Sequence, residues 1–151
     1  MHEFRSHTCG ELRVGHVGQK VRLSGWIHRK RDHGHLLFID LRDHHGLTQC
    51  VVDSARADAF KIADSARLES VITVTGTCLA RTPETLNSAL PTGAIEVAAE
   101  AIVLQSPAEP LPLQVNSDED YGEEIRLRYR FLVRCPAPNI RHFALRRDVV
   151  A

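Results

Sequence analysis

The sequence predicts an all-β domain with one inserted helix, built as a five-stranded barrel. Five segments are predicted to be strands: the first, second and fifth alternate apolar and polar side chains, the period of a half-buried strand, and the fourth is rich in β-branched residues. One segment between the third and fourth of them changes to helical spacing. Three strands, a helix and two further strands follow the order of an OB-fold, a Greek-key barrel.

The first three predicted strands form a meander. They cover about 20–29, 36–42 and 47–52. The two connections, 32–35 and 43–46, each combine Asp, His and Gly, which favour tight turns. The remaining segments are a fourth strand, a polar loop and a fifth strand over 71–81, 82–93 and 95–104.

Two segments are predicted to be helical. Residues 53–67 place alanine and isoleucine at helical spacing, with Asp53 or Ser54 as the N-cap. Ahead of the first strand, Thr8 and Glu11 have the spacing of a capping box, which predicts a short turn of helix there.

The second strand has a clear register. Leu37, Ile39 and Leu41 fall on one face, which leaves Phe38 and Asp40 on the other. A slip of one residue would bury Asp40 and expose the three aliphatic side chains. The pattern therefore predicts that Phe38 points outward.

A cationic loop lies next to this aromatic side chain. Its basic residues are Arg29, Lys30, Arg31, His33 and His35. An exposed ring can stack on an unpaired base while neighbouring cations meet phosphates. OB-folds bind oligonucleotides on the second and third strands, framed by the loops between strands 1 and 2 and between strands 4 and 5. The sequence therefore predicts a single-stranded nucleic-acid site here.

Composition limits the other possibilities. The chain has 19 basic and 19 acidic residues, so attraction to a polyanion must be local. It lacks an apolar run that could span a bilayer or serve as a signal peptide, and we expect a cytoplasmic protein. The four cysteines have no C-x-x-C spacing, and no Cys or carboxylate completes a ligand set with the histidines. We expect neither a disulfide framework nor a metal site.

The chain is expected to contain three parts. The barrel occupies 1–104, a linker rich in proline and acidic residues occupies 105–124, and an Arg-rich segment occupies 125–151. Within the last segment, Asn139 has the position of a cap for a further helix.

Four segments resemble the N-terminal anticodon-binding domain of bacterial-type aspartyl-tRNA synthetases, which are class II enzymes. They are HTCGELR (7–13), VRLSGWIHRKRDHGHLLFIDLRDHHGLTQCVVD (21–53), LPTGAIEV (90–97) and EEIRLRYRFL (123–132). The resemblance implies that the partner is the anticodon loop of an aspartate tRNA, whose three bases are G, U and C. It also implies that the full-length enzyme uses ATP and Mg and forms a homodimer.

The resemblance implies roles for individual residues. Phe38 stacks on the central uridine, Gln49 hydrogen-bonds its edge, Arg31 contacts the same loop and Glu96 faces the third base. A carboxylate can accept from a cytosine amino group, and an amide can pair with a base that offers both donor and acceptor. Two interpretations stay open for Arg31, contact with the bases or with phosphate. Gln49 and Glu96 could instead be solvated strand residues, and Trp26 is expected to pack under a loop.

One loop residue suggests a relaxed specificity. In the family, His rather than Leu at the His33 position resembles the form that also accepts asparagine tRNA. The anticodons of the two tRNAs differ in the third base. We therefore expect comparable binding of both tRNAs.

The match to the family weakens after Leu132, where Val133–Pro138 replaces the expected continuation. The ATP and aspartate motifs of class II synthetases are absent from the chain. This polypeptide alone is therefore not expected to activate aspartate, and its enzymatic status stays open. It is a piece of the enzyme or a standalone paralogue. An OB-fold nucleic-acid binder without sequence specificity is the alternative function, and a protein-interaction module is a third.

Overall fold

The computed structural model describes residues 3–112, 122–129 and 132. Five strands close into a barrel: β1 (Lys20–Asp32), β2 (Leu36–Arg42), β3 (Leu47–Asp53), β4 (Val71–Ala80) and β5 (Ile95–Ser106). Their order around the barrel is β1-β2-β3-β5-β4. The β3–β5 pair is parallel and the other neighbouring pairs are antiparallel. The predicted five-stranded OB barrel with one inserted helix is confirmed.

The apolar faces of the strands fill the barrel. In β2, Leu37, Ile39 and Leu41 are fully buried, while Phe38 and Asp40 lie on the outer face. The predicted register of this strand is therefore confirmed. Gly25 is required in β1 because a Cβ there would collide with the carbonyl oxygen of Arg42, so this glycine lets β1 approach β2 closely.

The inserted helix α1 (Ala57–Ser65) is shorter than predicted, and the predicted N-caps are wrong. Asp53 ends β3, and its Oδ1 accepts a hydrogen bond from the backbone N–H of Ala55 at 2.8 Å. It therefore closes the turn between strand and helix. The N-cap position belongs to Arg56, which makes no side-chain capping bond.

The segment before β1 contains the predicted Thr8–Glu11 pairing but not a turn of α-helix there. Glu11 Oε2 accepts from the backbone N–H of Thr8 at 3.1 Å and from its hydroxyl at 3.3 Å. These bonds close a turn, and a short 3-10 helix follows at Val14–His16. Half of the predicted capping box is present, because Glu11 reaches back to the Thr8 N–H while the Thr8 hydroxyl donates to Glu11 and does not accept from its backbone N–H. The chain turns before an α-helix can propagate.

The turn between β2 and β3 anchors the N-terminal segment. Asp43 accepts from the backbone N–H groups of His45 at 2.8 Å, Gly46 at 3.0 Å and Cys9 at 2.9 Å. Cys9, Cys50 and Cys78 are buried free thiols. Burial raises the pKa of the Cys50 thiol to about 12, so it remains a neutral core side chain.

The chain divides into two compact units, one ending at Pro110 and the other beginning at Leu111. The second unit contains a short helix, α2 (Glu123–Arg128). The predicted helix after Asn139 lies outside the described residues, as does most of the predicted Arg-rich segment. The boundaries at 104 and 124 stay a prediction. Among the described residues, no helix has the length and apolar character needed to cross a membrane.

Candidate nucleic-acid interface

The outer face of the barrel gathers polar and aromatic side chains from four neighbouring strands and one loop. Arg31 of β1 lies opposite Phe38 of β2, and Asp40 of β2 lies opposite Gln49 of β3. Glu96 comes from β5, which runs parallel to β3. With His33 from the β1–β2 loop, we call these residues the outer-face cluster: Arg31, His33, Phe38, Asp40, Gln49 and Glu96.

A β-bulge places the arginines on this face. The register of β1 against β2 shifts between Ile27 and Arg29. Without the shift, the alternation that buries Ile27 would turn Arg29 and Arg31 inward. After it, Arg29 lies opposite Asp40 and Arg31 lies opposite Phe38, so both arginines share the outer face and are exposed.

A chain of hydrogen bonds connects the polar members of the cluster. Arg31 Nη2 donates to Asp40 Oδ1 at 3.0 Å and to Gln49 Oε1 at 3.2 Å. Gln49 Nε2 donates to Glu96 Oε2 at 3.1 Å. These bonds hold the Gln49 amide between a guanidinium and a carboxylate. The residue is 8% exposed, so the amide lies at the barrel surface with little access to water.

The ring of Phe38 is half-buried and has two cationic or aromatic neighbours. Arg31 Cζ lies 5.9 Å from the ring centroid, within cation–π range. The His33 ring meets it edge to face, with centroids 5.2 Å apart and an interplanar angle of 84°. The aromatic side chain is thus fixed in place beside the amide that could read a base.

Most of the predicted site residues meet on this face, but Lys30 does not. The bulge turns Lys30 opposite Ile39, toward the interior side of the strand. Its Nζ donates to three carbonyl oxygens at the end of α1, those of Ala63 at 3.3 Å, Asp64 at 2.6 Å and Ala66 at 2.9 Å. The structure thus places the Lys30 ammonium at the C-terminal end of α1, where it caps the helix, and not in the outer-face cluster.

Replacing Lys30 by methionine should therefore lower the free energy of unfolding by about 1–2 kcal/mol, since charge-assisted bonds to the helix C-terminus are lost. RNA affinity should change less than about twofold, because a cation that caps a helix is not free to neutralise a phosphate. Urea unfolding and RNA titration measure the two effects. Lys61→Met, an exposed position of α1, is the matched control. A loss of RNA affinity without a loss of stability would contradict the helix-capping role.

Sequence inspection missed two features of this surface. Asp40 was placed outward but not assigned to the site, although its position two residues after Phe38 on the same face is the signal that could have found it. Trp26 was expected to pack under a loop, but 41% of its surface is exposed. It lies opposite Arg42, four residues along β2 from Phe38, or roughly 13 Å at the usual rise of a strand.

Near Trp26, the Arg42 side chain has two polar partners, Glu69 and His28. It donates to Glu69 Oε2 at 2.7 Å and lies 3.0 Å from His28 Nδ1. Burial and the adjacent Arg42 charge lower the pKa of His28. The Arg42–Glu69 ion pair is therefore separate from the outer-face cluster.

The loop between β4 and β5 borders the cluster. Arg81 Nε donates to the carbonyl of Ile95 at 2.9 Å, and the Thr92 hydroxyl donates to the carbonyl of Leu47 at the start of β3. These bonds hold the loop against the strands that carry Gln49 and Glu96. Among the described residues, no group of three or more His, Cys, Asp or Glu side chains could hold a metal ion.

Comparison with known proteins agrees with the barrel fold. Residues 21–104 match the family model of OB-fold nucleic acid binding domains of the tRNA anti-codon type. An aspartate--tRNA(Asp/Asn) ligase of Parvibaculum lavamentivorans is 53% identical over 151 residues, covering 100% of this chain and 25% of the relative. The enzyme of that name from Paramagnetospirillum magneticum is 57% identical over 132 residues, which cover 87% of this chain and 15% of the relative.

Solved structures show the same fold. An asparaginyl-tRNA synthetase from Pyrococcus horikoshii superposes with a TM-score of 0.72 and 28% identity, covering 86% of this chain and 30% of that one. The chain thus spans a quarter or less of the length of the two curated relatives above.

Proposed function

Since this chain belongs to the family of OB-fold nucleic acid binding domains of the tRNA anti-codon type, we propose that its outer-face cluster binds the anticodon loop of an aspartate tRNA. The observation that supports this most strongly is the convergence of Phe38, Gln49, Arg31 and Glu96 on one face. Stacking on Phe38 supplies affinity for any base, and the held amide supplies base selection.

The chemistry of the amide suits a uridine. Gln49 Oε1 has two acceptor positions and Nε2 has two donor hydrogens. Arg31 occupies one acceptor position and Glu96 occupies one donor hydrogen. One donor and one acceptor of the amide are left for a base. Uracil offers an N3–H donor beside an acceptor oxygen. The remaining oxygen of Glu96 can accept from the amino group of a neighbouring cytosine.

The cations divide between two roles in this proposal. Arg31 is engaged with Gln49 and Asp40, so it acts at the base side of the site. Arg29 is exposed on the same face and is placed to meet a phosphate. Few cations converge here, so binding should depend moderately on salt.

We also propose the larger setting. The whole protein is an aspartate-tRNA ligase that uses ATP and Mg in a portion beyond this chain, acts as a homodimer and works in the cytoplasm. The names of the two curated relatives support the reaction. The alternative is a standalone OB-fold nucleic-acid binder. The identity to the Parvibaculum ligase over the whole chain favours a ligase over this alternative.

A titration against anticodon stem-loops tests the function. Replacing the central uridine should weaken binding more than tenfold, about 1.4 kcal/mol. A stem-loop with altered stem pairs and an unchanged loop is the control and should bind as well as the original. Equal affinity for all loop sequences would support the OB-fold binder without sequence specificity, and no binding at all would support a protein-interaction module.

The loop residue His33 gives a prediction about the third base. The chain should bind asparagine and aspartate anticodon loops comparably, as the Asp/Asn names of its relatives suggest. His33 touches Phe38 and so lies near the bound bases. His33→Leu should favour the aspartate loop over the asparagine loop by about fivefold or more, the lower end of the range for one altered base contact. His35→Leu is the control, and an unchanged ratio in His33→Leu would exclude this role.

A further inference from the structure

We propose that Asp40 is a positioning residue that fixes the direction of the Gln49 amide and thereby lets the site distinguish uridine from cytidine. The inference rests on the proposed function. It adds a residue that would touch no base and would act through Arg31.

The partners of Gln49 permit a single amide orientation. Arg31 is a donor only, so the amide atom 3.2 Å from it must be the oxygen. The carboxylate of Glu96 accepts only, so the atom 3.1 Å from it must be the nitrogen. We call Arg31 and Glu96 the amide clamp, because a 180° flip of Gln49 would break both bonds at once.

This direction decides which pyrimidine fits. Uracil presents an N3–H donor beside an acceptor oxygen at C4, whereas cytosine presents an N3 acceptor beside an amino donor at C4. For a base held in one place on Phe38, the two edges therefore require opposite amide orientations. An amide that is free to flip could pair with either uracil or cytosine. An amide that is held in one direction can pair with only one of these two bases.

Asp40 holds the Arg31 side of the clamp. Arg31 is 44% exposed, and a long exposed side chain samples many rotamers unless something restrains it. Asp40 is 14% exposed and binds Arg31 Nη2 at 3.0 Å, the same nitrogen that donates to Gln49. Asp40 also lies directly opposite Gln49 across the β2–β3 pair. It therefore fixes the guanidinium at the distance that the amide oxygen needs.

The test compares one ratio of dissociation constants, for stem-loops with U and with C at the central position, among three proteins. The chain is titrated with stem-loops that carry U or C at the central position, as wild type, Asp40→Ala and Asp40→Asn. Asp40→Ala should reduce the preference for U over C by about threefold or more, the scale of one weakened base contact. Asp40→Asn keeps an acceptor oxygen for Arg31 and should recover part of the preference. Thermal unfolding verifies that each variant is folded.

A charge control separates selectivity from general attraction. Asp58→Ala removes one negative charge from an exposed position of α1. It should strengthen binding to both stem-loops equally, if at all, and leave the ratio unchanged. A folded Asp40→Ala with the wild-type ratio would overturn the positioning role alone. A wild-type chain with no preference between U and C would overturn the proposed function itself.

Discussion

Replacing Phe38 by alanine should weaken binding of the anticodon stem-loop by about tenfold or more, because base stacking on an aromatic side chain contributes roughly 1–3 kcal/mol. The ring is the one large apolar surface within the outer-face cluster, and Arg31 and His33 hold it in place. Fluorescence anisotropy with a labelled stem-loop measures the loss. The stability of the barrel should change little, since the ring lies outside the buried core.

Trp26→Ala is the matched control for Phe38. It removes a larger exposed aromatic side chain from the same sheet, roughly 13 Å away at strand spacing. If the site reads one anticodon base on Phe38, Trp26→Ala should bind nearly as well as the wild type. Equal losses from both substitutions would indicate a general single-strand binder, and an intact affinity in Phe38→Ala would exclude stacking at this position.

The sequence was sufficient to predict the barrel because its strands alternate strongly. Leu37, Ile39 and Leu41 define one face of β2, and burying them leaves Phe38 outside whatever the details of the loops. The cost of burying Asp40 and Arg42 excluded the other register. Hydrophobic periodicity was therefore enough to predict both the fold and the outward direction of the Phe38 ring.

The same rule could not place the arginines. Alternation continued from Ile27 assigns Arg29 and Arg31 to the interior side and Lys30 to the exterior, the reverse of the structure. The bulge at His28 reverses the faces of the residues after it. Its position depends on how β1 bends to pair with β2 and β4 at once, which is a property of the closed barrel and not of the local sequence.

Contacts between polar side chains were also beyond the sequence. Asp40 and Glu96 are 56 residues apart in the chain and are brought together through Arg31 and Gln49 on neighbouring strands. Family resemblance indicated Gln49 and Glu96 as separate readers of two bases. The structure adds that they are bonded to each other, so a change in one should alter what the other reads.

That coupling makes Gln49→Ala the second substitution with a large expected effect. Loss of the amide removes both base-directed hydrogen bonds, so affinity for the uridine stem-loop should fall about tenfold. The penalty for replacing the central uridine should shrink toward none, because the amide that we propose distinguishes the bases is gone. Stacking on Phe38 remains, so binding should persist at the weaker level for every central base.

Gln105→Ala tests whether this loss is specific to the site. Gln105 is an exposed glutamine of β5 that bonds Thr73 on the sheet, and its removal should leave both affinity and base preference unchanged. Phe38→Ala and Gln49→Ala should also differ in kind. The first weakens binding to loops with any central base, while the second mainly removes the preference for uridine. If Gln49→Ala kept a full uridine preference, the base would have to be read by another side chain, and the outer-face cluster would be a stacking site without selectivity.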